Sequence, residues 1–202
     1  MTDQTNTLRD DIAFLKTMAE EGRTGPLMGG PVALVSGLLF GTASLACWAG
    51  DRLGFPADYL FWAWPLSGTA FGLFMFAYLR RVGPGRGAAQ RASAIAWSGA
   101  GWAMFTVVAS LLLMANKTQT WQVAAAISPI ILALYGCAWF IAGRIYRNLW
   151  ISLVAFGSWA MALVNAWSIT EGPIGYLVYA LTLYLLVAVP GAVMMRQARK
   201  AD

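Results

Sequence analysis

A chain of 202 residues with 59% apolar and only 11% charged residues lies far from soluble proteins, in which about 25% of residues are charged. Its net charge of +5 could suit nucleic acid, but all fourteen Lys and Arg residues sit between apolar runs. That distribution belongs to membrane topology, and a nucleic-acid partner is excluded. Histidine is absent, which excludes His-ligated haem, the usual imidazole metal site and the commonest general acid–base group.

The first 26 residues are polar and end at Gly25-Pro26. Within them Leu8, Ile12, Leu15 and Met18/Ala19 share one helical face, Thr7 can cap the first turn and Gly22 can end the last. This predicts a short amphipathic helix, lying on the membrane surface or docking a cytoplasmic partner. Span one, from Leu27 to Ala49, is too long for the apolar part of a secretory signal, and no small-residue cleavage site follows. Its Gly37 and Gly41 form a Gly-xxx-Gly contact face.

Span two, from Tyr59 to Arg81, sets the pattern for the rest of the chain. Uncharged residues cover about 30 Å of helix, the thickness of a bilayer's hydrocarbon core, and an arginine pair stops the run. It carries Pro65 and a second glycine pair, Gly68 and Gly72. Span three (Ala92 to Ala115) has Trp102 near its middle; span four (Trp121 to Gly143) contains Pro129 and Tyr135. Span five (Leu149 to Ile169) holds Trp159 near its centre and Asn165 near its far end, and span six (Ile174 to Met195) leads to a basic tail from Arg196 to Asp202.

The fold class is therefore all-α: a polytopic bundle of six transmembrane helices over residues 27–195, with a cytoplasmic amphipathic segment over 1–26 and a basic tail over 196–202. The spans also echo one another. At an offset of 64, Pro65, Gly72, Phe76 and Arg80 fall on Pro129, Gly136, Phe140 and Arg144, and Trp102-Ala-Met104 recurs as Trp159-Ala-Met161. Three tandem helical hairpins would produce such an echo.

No chemistry-bearing constellation accompanies the spans. All nine carboxylates lie outside them, and so do Lys16, Lys117 and Lys200, so a catalytic or ion-coupled centre inside the bundle is not expected. Cys47 and Cys137 differ by about 24 Å in depth and should stay unpaired. The protein is expected to be no enzyme and to carry no cofactor or metal. Pro65 and Pro129, about 9–12 Å from one surface, should each bend their helix. Trp64, Tyr135, Trp102, Trp159 and Asn165 are the candidate walls of any cavity those bends open. The glycines Gly37, Gly41, Gly68 and Gly72 are candidate helix contacts.

These features point to a protein that works by association, as a homo-oligomer, an accessory subunit or a membrane anchor for a cytoplasmic partner, with membrane lipid as its surroundings. The alternatives are a passive channel or carrier for a small neutral or apolar solute, and a membrane sensor of a hydrophobic ligand. Orientation in the plasma (inner) membrane follows from the basic residues. With the N-terminus cytoplasmic, twelve Lys and Arg residues lie inside and only Arg52 and Lys117 outside. Reporter fusions at Gly85, Arg147 and Asp202 should thus report a cytoplasmic position, and fusions at Phe55, Thr118 and Gly172 an external one. A single reversal would overturn this topology.

Overall fold

The structure, a computed structural model, describes residues 29–81 and 88–201. Among them the chain is helical with no strand. Six helices are long and apolar enough to cross a membrane: α1 (Gly30–Arg52), α2 (Ala57–Arg81), α3 (Ala89–Thr118), α4 (Trp121–Ile145), α5 (Leu149–Glu171) and α6 (Ile174–Ala198). The expected all-α polytopic bundle is what the chain forms. In hydrocarbon every backbone N–H and C=O must be satisfied within the segment, so helix is the only form open to runs of this length. The expected N-terminal amphipathic helix lies outside the described residues, as does 82–87 of the basic loop. The last helical stretch, Val189–Ala201, carries α6 through most of the expected basic tail.

Pro65, Pro129 and Pro190 each lie beside a helix irregularity. In α2 the helix stops at Phe61, skips Trp62 and restarts at Ala63, which puts Pro65 in the first turn of the restarted helix. In α4 a 3₁₀ stretch, Trp121–Ala126, gives way to α-helix at Ile127, so Pro129 again falls in a first turn. In α6 a π turn, Tyr184–Ala188, precedes the stretch that contains Pro190. First-turn N–H groups have no partner within the helix, so a proline there removes no hydrogen bond. The two irregularities in α2 and α4 are 64 residues apart, the offset of the sequence echo.

Helices α1, α4, α5 and α6 form the centre, where Leu132, Trp139, Ile151, Leu183 and Val187 are fully buried. Helix α2 lies on α1 and α3 lies on α4. No residue of α2 is buried, and in α3 only Gln90, Ser93 and Ala115 are. Two seams hold the centre together. On α1, Gly30, Gly37 and Gly41 lie against Gly191, Ala188 and Tyr184 of α6. A Cβ added at Gly37 would sit 2.6 Å from the backbone nitrogen of Ala188, and one at Gly30 would sit 3.0 Å from the carbonyl oxygen of Gly191. The two backbones therefore approach as closely as only glycine allows. Between α4 and α5, Gly136 receives the indole of Trp159, and Gly143 lies against Ser152.

The two kinds of glycine should respond oppositely to a larger side chain. Gly37→Leu forces backbone apart at the α1–α6 seam and should cost about 1–3 kcal/mol or more of unfolding free energy in detergent. Gly99→Leu, where an added Cβ meets nothing within 4 Å, should stay within about 0.5 kcal/mol of wild type. Denaturant titration of the two variants side by side measures this contrast.

Candidate functional site

The polar side chains within the spans gather in three places. Near the far end, away from the arginine-rich loops, Asn165 is fully buried on α5. Its Nδ2 donates to the carbonyl of Gly175 on α6 at 3.0 Å, and its Oδ1 accepts from Ser128 Oγ on α4 at 2.7 Å. One amide thus ties three helices. Ser128 sits in the first turn after the 3₁₀ stretch, where its hydroxyl also lies 3.5 Å from the carbonyl of Ala125.

Deeper in the bundle, Tyr135 Oη on α4 donates to Ser36 Oγ on α1 at 3.2 Å, and Ser36 Oγ donates to the carbonyl of Ala33 at 3.1 Å. Trp159 Nε1 donates across the α4–α5 seam to the carbonyl of Ala133 at 3.1 Å. Around Trp159, Phe140 and Phe156 complete a cluster with ring centroids 5.5 to 6.2 Å apart. Along the α1–α6 seam Ser44 Oγ donates to the carbonyl of Tyr176 at 2.7 Å, and Thr42 Oγ1 and Tyr184 Oη lie 3.0 Å apart.

Toward the arginine-rich end, Trp97 of α3 meets Trp139 of α4 edge-to-face, ring centroids 4.8 Å apart. Both Nε1 atoms are buried without a hydrogen-bond acceptor, as is Trp150 Nε1. An edge-to-face pair places the positive rim of one ring on the π face of the other, which partly replaces the missing acceptor. In the turn after α4, burial pushes the Tyr146 phenol above its ordinary pKa, and Ser93 on α3 pulls it the other way without forming a full hydrogen bond. The group is neutral at physiological pH. Asn148 starts α5 by accepting from the backbone N–H of Trp150 at 3.3 Å.

The candidate residues do not converge on one spot. Pro65 and Pro129 lie in helices that touch at their far ends, where the Phe61 and Trp121 rings have centroids 6.2 Å apart. Trp64 turns instead toward Tyr179 of α6, ring centroids 6.2 Å apart. Tyr135, Trp159 and Asn165 are each engaged in the contacts above. Trp102 stands on the outer surface of α3, 70% exposed, against only the edge of Phe105. Gly37 and Gly41 of α1 pack against α6, whereas a Cβ at Gly68 or Gly72 would meet nothing within 4 Å. Cys47 and Cys137 are both free. Among the described residues no group of His, Cys, Asp or Glu is placed to hold a metal ion. Ser36, Ser128, Gly175 and Tyr179 carry much of the observed polar and aromatic contact without any spacing motif to announce them. In the sequence Gly136 stands out only as the echo of Gly72.

Comparisons with protein-family models, with curated protein sequences and with solved structures return no match. What the arrangement can do follows from its own chemistry. Several of its hydroxyls and amides bond across to neighbouring helices. It is built to fix helix positions. Asn165→Leu should therefore destabilise by about 1–2 kcal/mol, the upper range for membrane hydrogen bonds, and Trp159→Phe by about 0.6 kcal/mol. A double-mutant cycle between Asn165 and Ser128 should return a coupling of the same order; additive effects would show that the amide does not bridge α4.

Proposed function

We propose that this is a non-catalytic, multi-pass protein of the plasma (inner) membrane that acts by association, with the arginine-rich end and both termini in the cytoplasm. The orientation rests on the twelve-to-two distribution of basic residues. The associative reading rests above all on α2. It is a full span with no buried residue, yet it carries Gly68 and Gly72 on open surface. Glycine in a helix costs about 1 kcal/mol relative to alanine. On α1 the same spacing is used for backbone contact with α6, so the cost has a return there. On α2 nothing among the described residues supplies one, which favours a partner outside the chain.

The interior supports the same reading. A pathway or ligand pocket needs convergent polar groups left free for the solute. Here Asn165, Ser128, Tyr135, Ser36 and Trp159 bond to one another or to neighbouring backbone. Purification from native membranes under mild conditions should yield a particle larger than a single chain, as a homo-oligomer or with a second protein at fixed stoichiometry. A strictly monomeric particle with no partner would overturn the proposal.

A further inference from the structure

The seam between α4 and α5 contains a template for a contact that α2 and α3 leave unmade. In α4, Gly136 receives the Trp159 indole of α5, whose Nε1 donates at 3.1 Å to the carbonyl of Ala133, three residues before that glycine. The sequence echo places Gly72 of α2 where α4 has Gly136, Thr69 where it has Ala133, and Phe76 where it has Phe140. It likewise places Trp102-Ala-Met104 of α3 where α5 has Trp159-Ala-Met161, each preceded by two small residues, Ala100-Gly101 and Gly157-Ser158.

Depth and direction agree as well. Gly72 stands eight residues before Arg80, and Gly136 eight before Arg144. Trp102 stands eleven residues after Arg91, and Trp159 twelve after Arg147. Helix α2 runs toward the arginine-rich end and α3 away from it, the same antiparallel relation as α4 and α5. Yet α2 and α3 of one chain do not form this contact. Gly72 has open space above it, Phe76 is 58% exposed, and Trp102 is 70% exposed. Trp102 is an indole at hydrocarbon depth whose N–H finds no acceptor among the described residues, where lipid tails offer none either.

We infer that the missing contact is made between two copies of this chain: Trp102 on α3 of one copy seats on Gly72 of α2 of another and donates its indole N–H to the Thr69 carbonyl. This rests on the associative reading and names the partner as a second copy. The occupant is specified by the template, because the face that complements Gly136, the counterpart of Gly72, is a Trp-Ala-Met helix, and the chain holds a second one with its tryptophan exposed. The contact is heterologous at the level of helices, α2 against α3. A two-fold axis along the membrane normal would make it twice and leave neither face open.

Full-length protein in phosphatidylethanolamine/phosphatidylglycerol liposomes, as donor- and acceptor-labelled copies, tests this by energy transfer across a dilution series. Wild type should associate, and Gly72→Leu and Trp102→Ala should each weaken association by about tenfold or more. Among the described residues Gly72 has open space above it and the Trp102 ring meets only that of Phe105, so both variants should stay close to wild-type thermal stability in monomeric detergent. Trp102→Phe, which keeps a ring and loses the donor, should fall between. A mixture of Gly72→Leu copies with Trp102→Ala copies should associate more tightly than either alone, because one pairing of intact Gly72 with intact Trp102 is restored.

An effect of only one of the two substitutions, or a mixture no better than its components, overturns the α2–α3 contact in favour of a like-with-like interface. If wild type does not self-associate while native purification yields a different protein, the second copy is overturned and association stands. If both experiments give a lone chain, both readings fall.

Discussion

The bundle depends on how closely α1 and α6 approach. Lipid tails are as apolar as the side chains facing them, so burial of apolar surface adds little to helix association inside a bilayer, and packing with short-range polar contact must supply it. Gly30, Gly37 and Gly41 remove the side chains that would separate the two backbones. The π turn at Tyr184–Ala188 then presents Ala188 to Gly37 and Tyr184 to Gly41. Pro190 lies in the turn that follows. Glycines on one helix and an irregular turn on the other make a single fitted surface. The contacts from Ser44 to Tyr176 and between Thr42 and Tyr184 fix its register.

The second pair, α4 and α5, solves the same problem with a large residue. Gly136 admits the whole Trp159 indole, so close approach is exchanged for aromatic contact plus one hydrogen bond. The two pairs are then joined by Asn165, which reaches both α4 and α6, and by Tyr135, which reaches α1. Each of these bonds is worth well under 2 kcal/mol in a membrane. Their value is positional, because an unbonded amide in hydrocarbon would cost more than the bond supplies.

Much of this architecture is legible in the sequence, for reasons that are physical. Span number and approximate ends follow from the length of uncharged runs, and the Gly37/Gly41 face follows from spacing on a helix. The prolines are half legible. Their positions mark the irregularities, but a missing N–H can be met by a kink or by a restarted helix, and local sequence does not choose between them. Least legible is which helices are central. By composition α2 and α4 look alike, down to matched Pro, Gly, Phe and Arg, yet α4 lies in the core and α2 at the rim. That difference is set by which neighbours each helix finds, a long-range property that hydropathy does not encode. The polar contacts of Ser36 and Ser128 were hidden for the same reason, since a lone serine in an apolar span shows no periodicity.

The contrast between α2 and α4 bears on where this molecule can change. Sliding α1 along α6 would drive Ala188 backbone out of the space above Gly37, and turning α5 would withdraw Trp159 from Gly136 and Asn165 from two partners at once. Such motions break several contacts together, so the centre acts as one packed unit. Helix α2 is held mainly by α1, through contacts such as the 3.3 Å bond from Ser67 Oγ to the Leu39 carbonyl, and α3 is held mainly by α4. Displacing either breaks few contacts and leaves the core seams intact. On the associative reading proposed above, this division would let the rim adjust to a neighbour while the centre holds.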